Sequence, residues 1–188
     1  MTDGGFSYKD YSSQSQRATP YIGQDDAPTK VSKLFTAAPT GISWADAGFV
    51  QPFLNRLNTT LTFGATEYVG RRYSERSTNT GAGGRTSTNV ILSTTHGELV
   101  IAPASGKIDL AEDLGGDYGT TLVIDHGAGV RTIFYGLSDI DIKAGQQVKQ
   151  GQTLATCGKT TVVEMRIGTV PIDPIAVWRG QCNGLKYY

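Results

Sequence analysis

Only two histidines, His96 and His126, occur in 188 residues. They fall in separate glycine turns, TTHGEL and IDHGAG, with no carboxylate at ligand spacing. A catalytic zinc is held by three protein ligands, typically histidines with a carboxylate or thiolate, so this pair makes a weak metal case. Both are read as turn residues, His126 bonding nearby backbone and His96 solvated. Cysteine is equally scarce. Cys157 has no histidine at motif spacing, and a nucleophilic thiol needs an adjacent base or cation to ionise. Cys157 and Cys182 permit one disulfide, and two unpaired, partly buried thiols are the other reading. A bridge would tie the C-terminal tail to the last strands and favour an extracytoplasmic location.

Charge of one sign is also missing. With 17 basic and 17 acidic residues, no long-range field draws the chain to nucleic acid or to an anionic membrane. No apolar run approaches the roughly 18 residues that cross a bilayer. The opening MTDGGFSYKDYSSQSQ lacks the basic and apolar regions of a signal peptide. Its polar composition is read as a juxtamembrane spacer, so an extracytoplasmic protein anchored through a segment absent from this sequence is expected. A cytosolic protein is the other reading. The Gly-rich GAGGR is neither a dinucleotide fingerprint nor a phosphate-binding P-loop, and no serine sits in a G-x-S-x-G elbow.

What is present is β-structure. Hydrophobic content of 38% and charged content of 18% fit a globular protein. The 24 glycines, with threonine and valine recurring in the second half, point to strands joined by tight turns. Strands are expected at 90–93, 98–102, 106–112, 120–125, 131–137, 147–148, 153–157 and 162–167. Glycine turns between them predict an all-β sandwich or barrel. Upstream the pattern is weaker. Residues 1–30 are read as a flexible polar lead. Residues 31–62 are read as an N-terminal extension packing on the domain, with a short helix over 43–58. Ser43 would cap it, and Trp44, Ala47, Val50, Leu54 and Leu57 would share a face, although Pro52 argues against it. Residues 63–188 form the main domain, opening with a strand or strand pair over 63–73 and a long loop over 74–89.

Residues 102–174 contain PASGKI, YGTTLVIDHGAGVRTIFYGLSDI, IKAGQQVKQGQTLATCG and VEMRIGTVPIDP in that order. This frame resembles the lysostaphin/LytM-type metallopeptidase family, which cleaves peptidoglycan cross-bridges. The resemblance implies a LytM-type β-sandwich of the duplicated hybrid motif. It also implies a zinc site built from three motifs: H-x-x-x-D, an aromatic residue followed at the second position by His-Leu, and H-x-H. Counting back from Ala102-Pro103 and Gly106, the first motif falls on Ser87 and Ile91. No histidine or aspartate lies between 74 and 95 to restore it. The second reads Phe134-Tyr135-Gly136-Leu137, with Gly136 at the histidine. Glu164 and Ile172-Asp173-Pro174 anchor the third, which places Thr160 and Val162 at its two histidines. The resemblance therefore implies a degenerate, catalytically inactive domain with neither metal nor cofactor.

Leu137-Ser138-Asp139 is similar to the stage II sporulation protein Q branch, whose members pair with a protein across an intermembrane space. On that likeness the expectation is a cell-envelope interaction platform, possessing an envelope protein partner. It would work through a groove whose floor Ile91, Gly136 and Val162 make apolar and open. A peptidoglycan-binding module or an amidase activator is the alternative, and an active zinc endopeptidase with a rebuilt site the third reading. The hairpin around Gly145 and Gly151 also resembles biotinyl and lipoyl carriers. Lys107 and Lys149 lack the Met-Lys-Met context of those modules, so no prosthetic group is expected.

Overall fold

Threonine, valine and isoleucine crowd the second half of the chain, and their branched Cβ atoms favour the pleated backbone. The computed structural model describes residues 27–36, 48–67, 85–116 and 118–180. Two short strands open it, β1 (Thr59–Leu61) and β2 (Thr66–Glu67), followed by β3 (Arg85–Thr86), β4 (Val90–Ser93) and β5 (Leu99–Ile101). The long strands follow: β6 (Gly106–Asp113), β7 (Thr120–Gly127) and β8 (Val130–Ile140). After β9 (Gln147–Val148) come β10 (Thr153–Ile167) and β11 (Val170–Ile172). The sheet order is β1-β4-β10-β8-β7-β6-β9, with β5 and β11 also pairing β10, while β2 and β3 form a separate ribbon. Every one of these pairings is antiparallel. This is the all-β architecture that the strand spacing predicts.

One difference matters for the site. The sequence predicts separate strands at 153–157 and 162–167, but β10 is continuous over 15 residues. Its ladder with β8 jumps from Cys157 opposite Leu137 to Val162 opposite Tyr135. That jump is a bulge, and a bulge bends and twists the strands that carry it. Sheet halves on either side of the bend bury a common core. Leu122, Ile124, Phe134, Val163 and Met165 come from one half, and Val100, Leu154 and Ala155 from the other. Phe53 closes this core, with its ring edge-on to Phe134 and to Trp178.

The expected helix over 43–58 is corrected where it can be seen. Residues 43–47 lie outside the described residues, and 48–58 contain no helix. Gly48 sits at φ +73 and Pro52 lacks an amide donor. Phe53 bridges to Val100, and Ile101 N–H donates to the Pro52 carbonyl at 2.9 Å, so the segment runs along the edge of β5. The N-terminal helix lies earlier, as α1 (Thr29–Phe35). It starts inside the segment expected to be a flexible lead. At the other end α2 (Pro174–Trp178) was not expected. Asp173 caps it by accepting the Ile175 N–H at 3.0 Å, with Pro174 at the first turn. Among the described residues no helix is long and apolar enough to cross a membrane.

Alternation divides the strand side chains between two faces. Ile91, Leu110, Val123, Ile133, Tyr135 and Val162 turn away from the main core and gather with Leu61 into a second apolar cluster. Val31 and Phe35 of α1 complete that cluster from above. Thus α1 lies against the face of the sheet opposite the main core.

Candidate functional site

Three strands in register build the central row of this second face. Ile91 on β4 pairs directly with Val162 on β10, and Val162 pairs in turn with Tyr135 on β8. Register partners share a face with Cβ atoms about 5 Å apart, so the three side chains stand side by side. Each is no more than 1% exposed. Thr160 precedes Val162 by two residues and therefore shares its face, half-buried and paired with Ser93 on β4. The strand register thus unites Ile91, Thr160 and Val162, three of the five positions that the motif spacing selects.

The other two add no side chain to this row. Gly136 has φ +78, and a Cβ there would lie 2.5 Å from the Thr160 carbonyl oxygen. A Cβ on Gly158 would meet the Gly136 carbonyl at the same distance. The backbones of β8 and β10 pinch together here, so position 136 has no room for a side chain of any kind. Ser87 lies in the turn before β4. Its buried hydroxyl donates to the Asn89 carbonyl at 2.7 Å, and its amide donates to the Ala65 carbonyl at 2.8 Å. These bonds commit it to holding the turn.

Beyond the apolar row the same face becomes charged. Alternation along β10 places Glu164 and Arg166 there, and Arg131 on β8 lies directly opposite Arg166. Two guanidiniums facing each other repel unless carboxylates intervene. They do intervene. Arg131 Nε donates to Asp109 at 3.0 Å, with Asp125 3.8 Å from its Nη2. Arg166 donates to Glu164 and, at 2.9 Å, to the Thr169 carbonyl. All four of Arg131, Arg166, Asp125 and Glu164 are buried. The Arg166 guanidinium lies 4.3 Å from the centroid of the Phe35 ring, within cation–π range. The motif reading used Glu164 only as an anchor and missed Arg131, Arg166, Asp109 and Asp125. The signal was the charged residue at every second position in Val162-Val163-Glu164-Met165-Arg166.

The row does not fit a zinc ion. Zinc requires nitrogen, sulfur or oxygen ligands. Ile91 and Val162 are hydrocarbon, Thr160 offers a poorly ligating hydroxyl, and Glu164 is already paired with Arg166. Among the described residues no three His, Cys, Asp or Glu side chains converge as metal ligands. What the face can bind is an apolar surface with charged margins, and α1 already supplies one. Val31 and Phe35 are 0% and 3% exposed, Leu34 and Ala27 pack beside them, and Lys30 Nζ reaches Glu112 at 2.8 Å. The expectation of an open groove floor is corrected: Ile91 and Val162 are covered, because an apolar row on a sheet face gains by leaving water.

The remaining residues singled out by sequence are structural. His126 is fully buried, with Nδ1 2.9 Å from the Ser105 carbonyl and Nε2 2.8 Å from the Thr132 hydroxyl. A carbonyl only accepts, so Nδ1 carries the proton and Nε2 accepts from Thr132. Burial lowers its pKa from 6.5 to about 4, against smaller opposing effects of the Ser105 carbonyl and Asp125. His96 is exposed. Cys157 is a buried free thiol whose pKa burial pushes up, which disfavours the reactive thiolate. Cys182, the other half of the expected disulfide, lies outside the described residues. Ser138 stitches β8 to β10, its hydroxyl 3.0 Å from the Cys157 carbonyl and 2.7 Å from the Thr156 hydroxyl.

Comparison with known proteins follows the same outline. The family model of Peptidase family M23 matches residues 85–174. An uncharacterised metalloprotease of Haemophilus influenzae is 32% identical over 95 residues, covering 47% of this chain and 20% of that protein. The chain therefore spans about a fifth of the length of that relative. Among solved structures, a protein assigned to peptidase M23 from Pseudomonas aeruginosa aligns with a TM-score of 0.58 at 23% identity, covering 81% of this chain and 58% of that one. Lysostaphin aligns with a TM-score of 0.59 at 19% identity, covering 73% of this chain and 56% of that one. A chain of the SpoIIQ–SpoIIIAH pore-forming complex aligns at 0.56 and 18%, covering 71% of this chain and 92% of that one. At these identities the solved structures share the fold. The matched family model makes residues 85–174 a peptidase M23 domain of the lysostaphin/LytM type.

Proposed function

We propose that this domain is a catalytically inactive, peptidase-like module of the cell envelope that binds a protein partner through the second face of its sheet. The observation that carries the reading is the Ile91–Val162 pair. Two positions at which the family places metal ligands face each other in register as hydrocarbons. A cation brought there would lose its hydration without gaining ligands, which is strongly unfavourable. Position 136 cannot accept a histidine without a new backbone path. No cofactor is needed for binding of this kind.

An extracytoplasmic, envelope-associated location is supported by the M23 frame. Leu137-Ser138-Asp139 and the likeness to the SpoIIQ chain support an intermembrane sporulation complex as the setting. The test uses the purified chain. Zinc content by plasma mass spectrometry should be far below one per chain, a chelator should leave the melting temperature unchanged, and muropeptides should stay intact. Stoichiometric zinc together with cleavage of muropeptides would overturn the reading. Co-sedimentation with sacculi without cleavage would replace the protein partner with peptidoglycan.

A further inference from the structure

The helix that covers the second face is poorly built to stand alone. It has only seven residues, its N-cap is Pro28 with no side-chain cap bond, and its first turn has no acidic residue. So short a helix is unstable in water without packing. Docking is therefore what keeps α1 helical, and leaving the face would unfold it. Three contacts with the described residues define its chemistry. Val31 and Phe35, one turn apart, enter the apolar cluster. The Phe35 ring meets the Arg166 guanidinium. Lys30 meets Glu112 in a solvent-exposed pair, which screening keeps weak.

We propose that α1 is a removable cover of this face, and that the partner is a short amphipathic helix repeating the chemistry of α1. That chemistry is a cation, a β-branched residue next to it, and an aromatic residue four positions further on, as in Lys30, Val31 and Phe35. The proposal rests on the reading of this face as a protein-binding platform. Each element answers to a fixed feature of the sheet. The β-branched residue enters the apolar cluster that holds Ile91, Val162 and Tyr135, the aromatic ring lies on Arg166, and the cation reaches Glu112. Because α1 is tethered, it competes at a high effective concentration, and a partner in trans meets a face that is free only part of the time. Release of α1 thereby sets the apparent affinity of the partner.

A labelled peptide of residues 27–36 is the probe, titrated against the full chain by fluorescence anisotropy. The double variant V31D/F35D, which disables the resident helix, should bind the peptide at least tenfold more tightly than the unaltered chain. Hydrogen exchange should show the peptide restoring protection in β4 and β10. A peptide carrying Lys30→Glu should bind more weakly. If the double variant fails to melt cooperatively, Phe35→Ala serves instead, with an intermediate gain in affinity. Equal affinity for the altered and unaltered chains would overturn the proposal. So would a dimer of the unaltered chain that exchanges α1, since the occupant would then be a second copy. Neither result depends on zinc or on hydrolysis, so this proposal and the inactive-module reading fail separately.

Discussion

Gly136 holds a left-handed conformation at φ +78 while the Thr160 carbonyl occupies the space of its missing Cβ. Replacing it by alanine adds both backbone strain and a steric clash, so Gly136→Ala should lower stability by about 3 kcal/mol or more, read as a shift of the urea midpoint at unchanged slope. His126 makes a pH prediction. Its folded pKa of about 4 lies below the ordinary 6.5, so the unfolded chain takes up the proton first as pH falls. Stability is therefore complete above pH 6.5 and is lost progressively toward pH 4, by roughly 3 kcal/mol across that window. Urea midpoints measured from pH 7 to 5 should fall for the unaltered chain and stay nearly flat for His126→Asn. At this scale the sequence was informative where chemistry depends on identity alone. Ile91 and Val162 were visible as non-ligands from motif spacing. Motif spacing singled out Gly136 but not its closure, because the carbonyl that closes it comes from a strand 24 residues away in sequence.

At the scale of elements, β10 organises the molecule. It carries the apolar row in its second half and bends where it crosses Gly136. Its reading as two strands followed from local pattern, since a bulge interrupts alternation without ending the strand. The failed helix over 43–58 and the missed α1 have a common cause. Helical periodicity was sought over a long window, where Gly48 and Pro52 defeat it, while the spacing of Val31, Leu34 and Phe35 fills only two turns. Two predictions belong here. Ile91→Asp would bury a carboxylate among hydrocarbons and should cost about 3 kcal/mol or more, seen as a lower melting temperature that recovers in part at acid pH. Phe35→Ala should remove hydrogen-exchange protection from α1 while most of the protection in β7 and β8 remains, because local opening and global unfolding are separate equilibria.

For the whole molecule, the M23 domain supplies a sheet with two used faces, one buried in its own core and one covered by α1. The β-rich architecture could be anticipated because it rests on strand and turn patterns with regular spacing. The cover could not, because it depends on packing of residues 31–35 against a cluster drawn mostly from strands β4 to β10. On the proposed metal-free reading, the fold should not respond to metal removal. A thermal scan with and without chelator is therefore expected to give the same midpoint, and a large downward shift with chelator would contradict that expectation.

The pinch between Gly136 and Gly158 has a further consequence, for the routes open to this sequence under mutation. Codons change singly. A histidine arriving at 136 would collide with the Thr160 carbonyl before any change at 91, 160 or 162 could give it a partner. Strand β10 would first have to shift its register, and that shift on its own disturbs the core. Surface changes on α1, in contrast, each alter what the face will accept while leaving the sheet intact. The same geometry that blocks one direction of change leaves the other unobstructed, so new binding specificities are nearer to this chain than a histidine at position 136.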